Sequence, residues 1–262
     1  MASPTADAPR SAQAFFVDLQ RAFGRTLAER AGRPELLDGL LNQAWDSFDG
    51  NVALQAEGEP PLDCSRGCAA CCTLRVTATA PEVLAVARFL RAVDPALRQR
   101  GIDLIGQVRA ADAVTAGLDE SERVGLRQRC AFIARGVCVI YRVRPLACRG
   151  HASHDRKACA DAVAGRAQAV PYSQAHHLVR SLVQNAMQSA LRDAQLSWAN
   201  YELNRALCVA FDRAEALDPI EPARGQQRLE AAWLAGEDVL AGAELNEVDA
   251  EEMARVFDAL KA

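Results

Sequence analysis

The chain lacks several things that would have settled its class at once. No apolar run reaches the length of a membrane span, because Arg, Asp or Glu interrupts every candidate. The opening residues, MASPTADAPRSAQ, contain no apolar stretch of signal-peptide type, so a short disordered lead and a cytoplasmic protein are expected. Basic residues are not in excess. The formal net charge is −4 and the pI about 5.7, which argues against a nucleic-acid binder and, with the missing spans, against a membrane partner. There is no Ser-His-Asp order, no Walker loop and no dinucleotide-binding glycine pattern. Internal repeats and low-complexity tracts are also absent.

What is present in excess is cysteine. Nine occur in 262 residues, eight of them between Cys64 and Cys159. In a reducing compartment thiols stay reduced, so such clustering points to metal or catalysis before disulfides. The first group, in DCSRGCAACC, has the spacing C-x3-C-x2-C-C at Cys64, Cys68, Cys71 and Cys72. Helical or looped, that spacing lets thiolates converge, although adjacent Cys71 and Cys72 point different ways. The second group is Cys130, Cys138, Cys148 and Cys159. Tetrahedral thiolate sites suit zinc, and cuboidal clusters suit iron and sulfide. Eight thiols make two four-thiolate sites or one site plus spares, and the spacing does not choose between these counts.

Four thiolates around a divalent metal, or around an oxidised four-iron cluster, leave a net double negative charge, which is costly to bury without compensation. Arg66, Arg75, Arg135, Arg142, Arg144 and Arg149 lie within a few residues of cysteines and are candidates to hydrogen-bond sulfur. His151 and His154 sit in CRGHASHDRKAC, where cysteines already suffice, so they are expected to be loop histidines, with ligation left open. His176 and His177 are read as structural or surface residues. Cys208, on the apolar side of LNRALCVAFDRA, is read as core.

Helical periodicity fills most of the remainder. Phe15, Leu19, Phe23 and Leu27 recur every fourth residue, and Leu37, Leu41, Trp45 and Phe48 form a second stripe. Thr79, Pro81 and Glu82 predict a capped helix start. The stretch CAFIARGVCVIYRVRP is the exception: two β-rich arms flank ARG, a hairpin signal carrying Cys130 and Cys138. RPLACRGHASHDRKACADA reads as irregular. Tyr172 to Ala214 reads as helical, LDPIEPARG as a linker, and two more amphipathic helices close the chain. The expected class is mainly α, with a cysteine-rich metal-binding segment and a short β-hairpin. The expected division is N-terminal helices over 1–61, a cysteine-cluster domain over 62–160 and a C-terminal helical region over 161–262 packed on it.

These residues resemble the YkgJ-type cysteine-cluster family of zinc- or iron-chelating domains. The match runs through Cys64, Cys68, Cys71 and Cys72, then Cys130, then Cys138, Ile140, Tyr141, Arg144, Pro145, Cys148 and Arg149. The resemblance implies chelation of a zinc or iron ion, or of a 4Fe-4S cluster, by Cys64, Cys68, Cys71, Cys72, Cys130, Cys138, Cys148 and Cys159. A flagellin lysine methylase carries a related cluster, which brings in an iron-sulfur enzyme modifying a protein or small molecule as the alternative. The radical S-adenosylmethionine motif shares C-x3-C-x2-C, but the strand-helix series that such enzymes need is absent here. A protein partner is compatible with the helical surface, and no catalytic residue stands out.

Overall fold

The computed structural model describes residues 11–65, 67–166, 169–245 and 249–262. Residues 1–10 of the expected disordered lead lie outside these, as does Arg66, whereas the lead's last residues are ordered differently: Ser11 caps the first helix and Ala12 and Gln13 begin it. The chain is mainly α. Helices α1 (Ala12–Glu29) and α2 (Leu36–Gln55) lead into strand β1 (Thr77–Ala78), α3 (Ala80–Arg98), α4 (Leu104–Thr115) and α5 (Glu120–Leu126). The hairpin β2 (Ile133–Ala134) and β3 (Val137–Cys138) follows, then the short helices α6 (Leu146–Gly150) and α7 (Arg156–Val163). The chain ends with α8 (Gln174–Asp193), β4 (Tyr201–Glu202), α9 (Leu203–Leu217), α10 (Pro222–Leu234) and α11 (Ala250–Lys261).

Amphipathic stripes decide the packing. On α1 the buried residues are Phe16, Phe23 and Leu27, so the face is turned slightly from the predicted one, and Phe15 and Leu19 sit half-buried at its edge. Helices α1 and α2 lie on α8, while α3 and α4 lie on α9. Helix α11 closes over α1, with the Phe16 and Phe257 rings stacked at 6.2 Å. Buried residues from the N-terminal, central and C-terminal stretches enter one continuous core.

The hairpin forms where predicted. Ile133 pairs with Cys138 and Ala134 with Val137, in antiparallel register. Arg135 and Gly136 turn the chain at φ 50° and 80°, the pair of positive values that a two-residue hairpin of right-handed twist requires. A second two-stranded pair was not foreseen: β1 joins β4 with partners 123 and 125 residues apart, Thr77 opposite Glu202 and Ala78 opposite Tyr201. The stretch read as irregular holds α6 and α7, which carry Cys148 and Cys159. The stretch from Tyr172 to Ala214 is not one run of helix. It breaks after Asp193, where Gln195 takes φ 59° and Trp198 lies in the connection.

Helix α3 starts with the predicted capping box, and its Glu82 does more than cap. The carboxylate is fully buried and accepts from Thr79 N at 2.8 Å, from Thr79 Oγ1 at 2.9 Å and, through its other oxygen, from Leu146 N at 2.7 Å. One side chain therefore satisfies the start of α3 and the start of α6, the helix that bears Cys148. Burial holds its pKa above the usual carboxylate range, against the three hydrogen bonds. At the other end of α6, a Cβ on Gly150 would lie 2.5 Å from the Arg180 side chain and 3.2 Å from His176 O, so only glycine lets α6 sit this close to α8. Glu82→Ala leaves two buried N–H groups without acceptors. We expect it to lower unfolding stability by roughly 2–4 kcal/mol, read as a reduced urea midpoint, with Glu82→Gln milder. An unchanged midpoint for Glu82→Ala would contradict this role.

Candidate metal centre

The first four cysteines lie on a loop, not a helix. Tight turns wrap it: Cys68 N donates to Ser65 O at 2.9 Å, Cys72 N to Ala69 O at 3.1 Å and Leu74 N to Cys71 O at 3.1 Å. The loop is held from two sides. At its start, Asp63 N donates to Ser153 O at 3.1 Å, Arg156 N donates to Asp63 Oδ2 at 2.9 Å, and Ser153 N donates to the Cys64 sulfur at 3.3 Å. At its end, Cys130 N donates to Cys72 O at 2.7 Å. The hairpin supplies Cys138, α6 supplies Cys148 and α7 supplies Cys159.

These segments enclose a cavity of about 320 Å3. Cys64, Cys68, Cys71, Cys72, Cys130, Cys138 and Cys148 all line it, within apolar walls that include Leu74, Val76, Phe132, Ile140 and Leu203. Cys159 lies apart from them, in a smaller adjoining cavity of about 100 Å3 that it shares with Cys71, His151 and Tyr172. Cys208 is in neither. It is buried in the core as predicted, where burial pushes its thiol up to about 12.

The thiols shape one another's titration. Burial raises Cys64, Cys130, Cys138 and Cys148, with Cys130 reaching about 11. Cys71 is raised first by its hydrogen bond with Cys72 and then by burial. Several thiols also repel one another's charge: Cys148 faces Cys130, Cys138 and Cys71. Backbone donors oppose the rise. The amides of Ser153, Phe132 and Ile140 hydrogen-bond the sulfurs of Cys64, Cys130 and Cys138, a contact that favours thiolate. Such amide-to-sulfur bonds support ligating thiolates.

Of the arginines proposed as counter-charges, Arg144 fits. Its guanidinium lies 4.0 Å from the Tyr141 ring centroid, on the cavity wall, and its buried Nε has no partner. No carboxylate pairs with it among the described residues, and its charge works against the rise at Cys71, Cys138 and Cys148. Arg149 has another task. It donates to the carbonyls of Arg144 at 3.2 Å and Arg142 at 2.9 Å, and covers the Trp45 ring, so it clamps the turn before α6. Arg75 is spoken for by Glu120 at 3.2 Å, and Arg135 occupies the hairpin turn. A cavity of thiols with an uncompensated cation suits an anionic metal-thiolate group. Among the described residues, no three His, Cys, Asp or Glu side chains already converge closely enough to hold an ion. Binding therefore requires thiols to swing inward, a change of χ1 between staggered positions.

Residues 63–169, under half of the chain, match the family model described as "CxxCxxCC: Putative zinc- or iron-chelating domain". The match supports the resemblance carried by the cysteine pattern. No curated protein and no solved structure gives a significant match.

His151 and His154 lie in the connection between α6 and α7 and His177 is exposed, as read from the sequence, but the larger cavity draws in two of the histidines. His151 is half-buried, lines both cavities and meets the Tyr172 ring edge-on at 4.8 Å. His154 faces Glu59, with Nε2 3.5 Å from its carboxylate. His176, read as structural or surface, lines the larger cavity. Hydrogen-bond logic fixes its tautomer. Ser173 Oγ is 2.7 Å from Glu59 Oε2 and 2.8 Å from His176 Nδ1. Glu59 stays ionised, held below the usual carboxylate range first by the Ser173 hydrogen bond, so it can only accept. Ser173 spends its one proton there, and His176 Nδ1 must donate. Burial keeps the imidazole neutral, which leaves Nε2 as a bare acceptor. A helix-opening histidine gives no such signal in sequence, because the carboxylate that orients it lies 117 residues upstream.

Because burial holds the thiols of Cys64, Cys130, Cys138 and Cys148 above their ordinary value, with Cys130 at about 11, these four are protonated at neutral pH. Metal loading at pH 7 is expected to release protons, and affinity is expected to fall as pH falls. Calorimetry in two buffers of different ionisation enthalpy measures the release. Identical heats in both would contradict it.

Proposed function

We propose that this protein chelates zinc or iron through the cysteine cluster. One observation carries the reading: seven cysteines from four separate stretches of chain line one apolar-walled cavity, beside Arg144, with which no carboxylate pairs among the described residues. Random burial of thiols gives no reason for such a cation among them, whereas a metal-thiolate group with net negative charge does. The nine cysteines are all free, which suits a reducing compartment such as the cytoplasm. Among the described residues no helix is long and apolar enough to cross a membrane.

The metal group, when bound, supplies positive charge that stabilises thiolates, and as an iron-sulfur cluster it would also supply an electron. The chain's own residues do the rest. The Ser153, Phe132 and Ile140 amides orient sulfur, Arg144 offsets charge, and Leu74, Phe132 and Ile140 keep water away. An iron-sulfur enzyme is the second reading, and the cavity's size favours it. At about 320 Å3 it holds roughly ten times the liquid volume of a water, more than one ion within four thiolates fills. It also falls in the range of small-molecule sites. Tyr141, Arg144 and His176 would then face a substrate. A protein partner on the helical surface belongs to the same proposal.

Anaerobic purification with elemental analysis and a visible spectrum separates the readings. Iron with acid-labile sulfide supports a cluster, and a colourless protein with stoichiometric zinc supports a structural or cargo site. Cys68→Ser is expected to bind less metal than the natural chain, and Cys208→Ser to retain its full complement. Equal content in both variants would refute the ligand assignment. Arg144→Ala is expected to weaken metal affinity about tenfold, measured by competition with a chromophoric chelator. Unchanged affinity would remove Arg144 from this role.

A further inference from the structure

Resting on that reading of the cysteine cluster, we propose that its eight thiols form two four-thiolate metal centres. Cys64, Cys68, Cys71 and Cys159 make one, and Cys72, Cys130, Cys138 and Cys148 make the other. The C-x3-C-x2-C-C loop would thus be shared between them.

The backbone divides the loop. Its front end is fastened to the stretch leading into α7: Asp63 exchanges bonds with Ser153 and Arg156, and the Cys64 sulfur accepts from Ser153 N at 3.3 Å. That stretch carries Cys159 three residues beyond Arg156. The back end is fastened elsewhere, by Cys130 N on Cys72 O at 2.7 Å. Cys130 opens the hairpin whose register sets Cys138 opposite Ile133, and Glu82 fixes the first turn of α6 beneath Cys148.

The cavities set Cys159 apart: the larger one is lined by Cys64, Cys68 and Cys71 as well as by Cys72, Cys130, Cys138 and Cys148. The smaller one holds Cys159 and Cys71 but none of Cys72, Cys130, Cys138 or Cys148. Cys71 is the one cysteine on both walls. Adjacent residues direct their side chains differently, so Cys71 and Cys72 at the seam can each serve one centre. Arg144 lines the larger cavity, beside the second set. Four thiolates closing on one ion is the arrangement of a structural zinc site, and it leaves no cysteine of the cluster unused.

The test is zinc stoichiometry of the full chain, stripped, reduced and reconstituted anaerobically with zinc alone, then desalted and measured by mass spectrometry of the elements. Two equivalents are expected for the natural chain and for Cys208→Ser, and one each for Cys159→Ser and Cys148→Ser. The double variant Cys64→Ser/Cys159→Ser, taken from one set, should still hold one. Should Cys148→Ser fail to fold by circular dichroism, Cys138→Ser on the hairpin takes its place. One equivalent in the natural chain, unchanged in Cys159→Ser, would overturn the division while leaving chelation intact. No zinc in the natural chain would overturn both. Loss of both equivalents in the folded Cys159→Ser variant would overturn the independence of the two sets.

Discussion

Seven thiols brought together against apolar walls cannot all lose their protons unless a cation joins them. That electrostatic constraint governs the cysteine-cluster segment. Burial and mutual repulsion drive the thiols up, as at Cys130 and Cys148, while amide donors and Arg144 pull the other way. The two tendencies balance poorly in the metal-free chain. On the proposed reading a divalent ion would resolve the conflict, because it replaces several protons by a charge that its coordinating sulfurs share. Among the described residues no carboxylate pairs with Arg144, which leaves its charge to act on the thiols around it.

The helical body is the means by which distant stretches are held to this point. Helix α8 supports α1 and α2 on one side and α6 on the other, through the close contact at Gly150. Helix α3 reaches α6 through a single buried carboxylate, Glu82. The strand pair β1–β4 ties the end of the cysteine loop to the start of α9. None of these contacts involves a cysteine. Each nevertheless sets where a cysteine-bearing segment begins, so the scaffold defines the cavity before any metal enters.

The cysteine ligand candidates, the hairpin and the capping box at Thr79–Glu82 were legible because each has a local signature: spacing, a positive-φ turn, an S/T-x-x-E pattern. Helices α6 and α7 were not. They span five and eight residues, too short for a periodic stripe, and their stability comes from Glu82 and from Asp155 accepting at Ala158 N. The break between α8 and α9 was hidden because Gln195, with no glycine or proline nearby, takes the left-handed turn. The pairing of β1 with β4 depends on partners 123 and 125 residues apart, beyond any local pattern. In the site, sequence placed the thiols but not their grouping, since backbone bonds from Ser153 and Cys130 decide which end of the loop each later cysteine meets. The selection of Arg144 among six nearby arginines, and the arrival of His176 at the cavity, likewise depend on tertiary contacts.

The central claim is that the clustered thiols are metal ligands. Native mass spectrometry of the anaerobically purified chain, with thiol titration of the same sample before and after denaturation in chelator, addresses it directly. The account predicts a mass above the 28.2 kDa polypeptide by the metal less the displaced protons, with most cluster thiols shielded until denaturation releases all nine. The bare polypeptide mass, with the cluster thiols reacting freely in the folded protein, would contradict it.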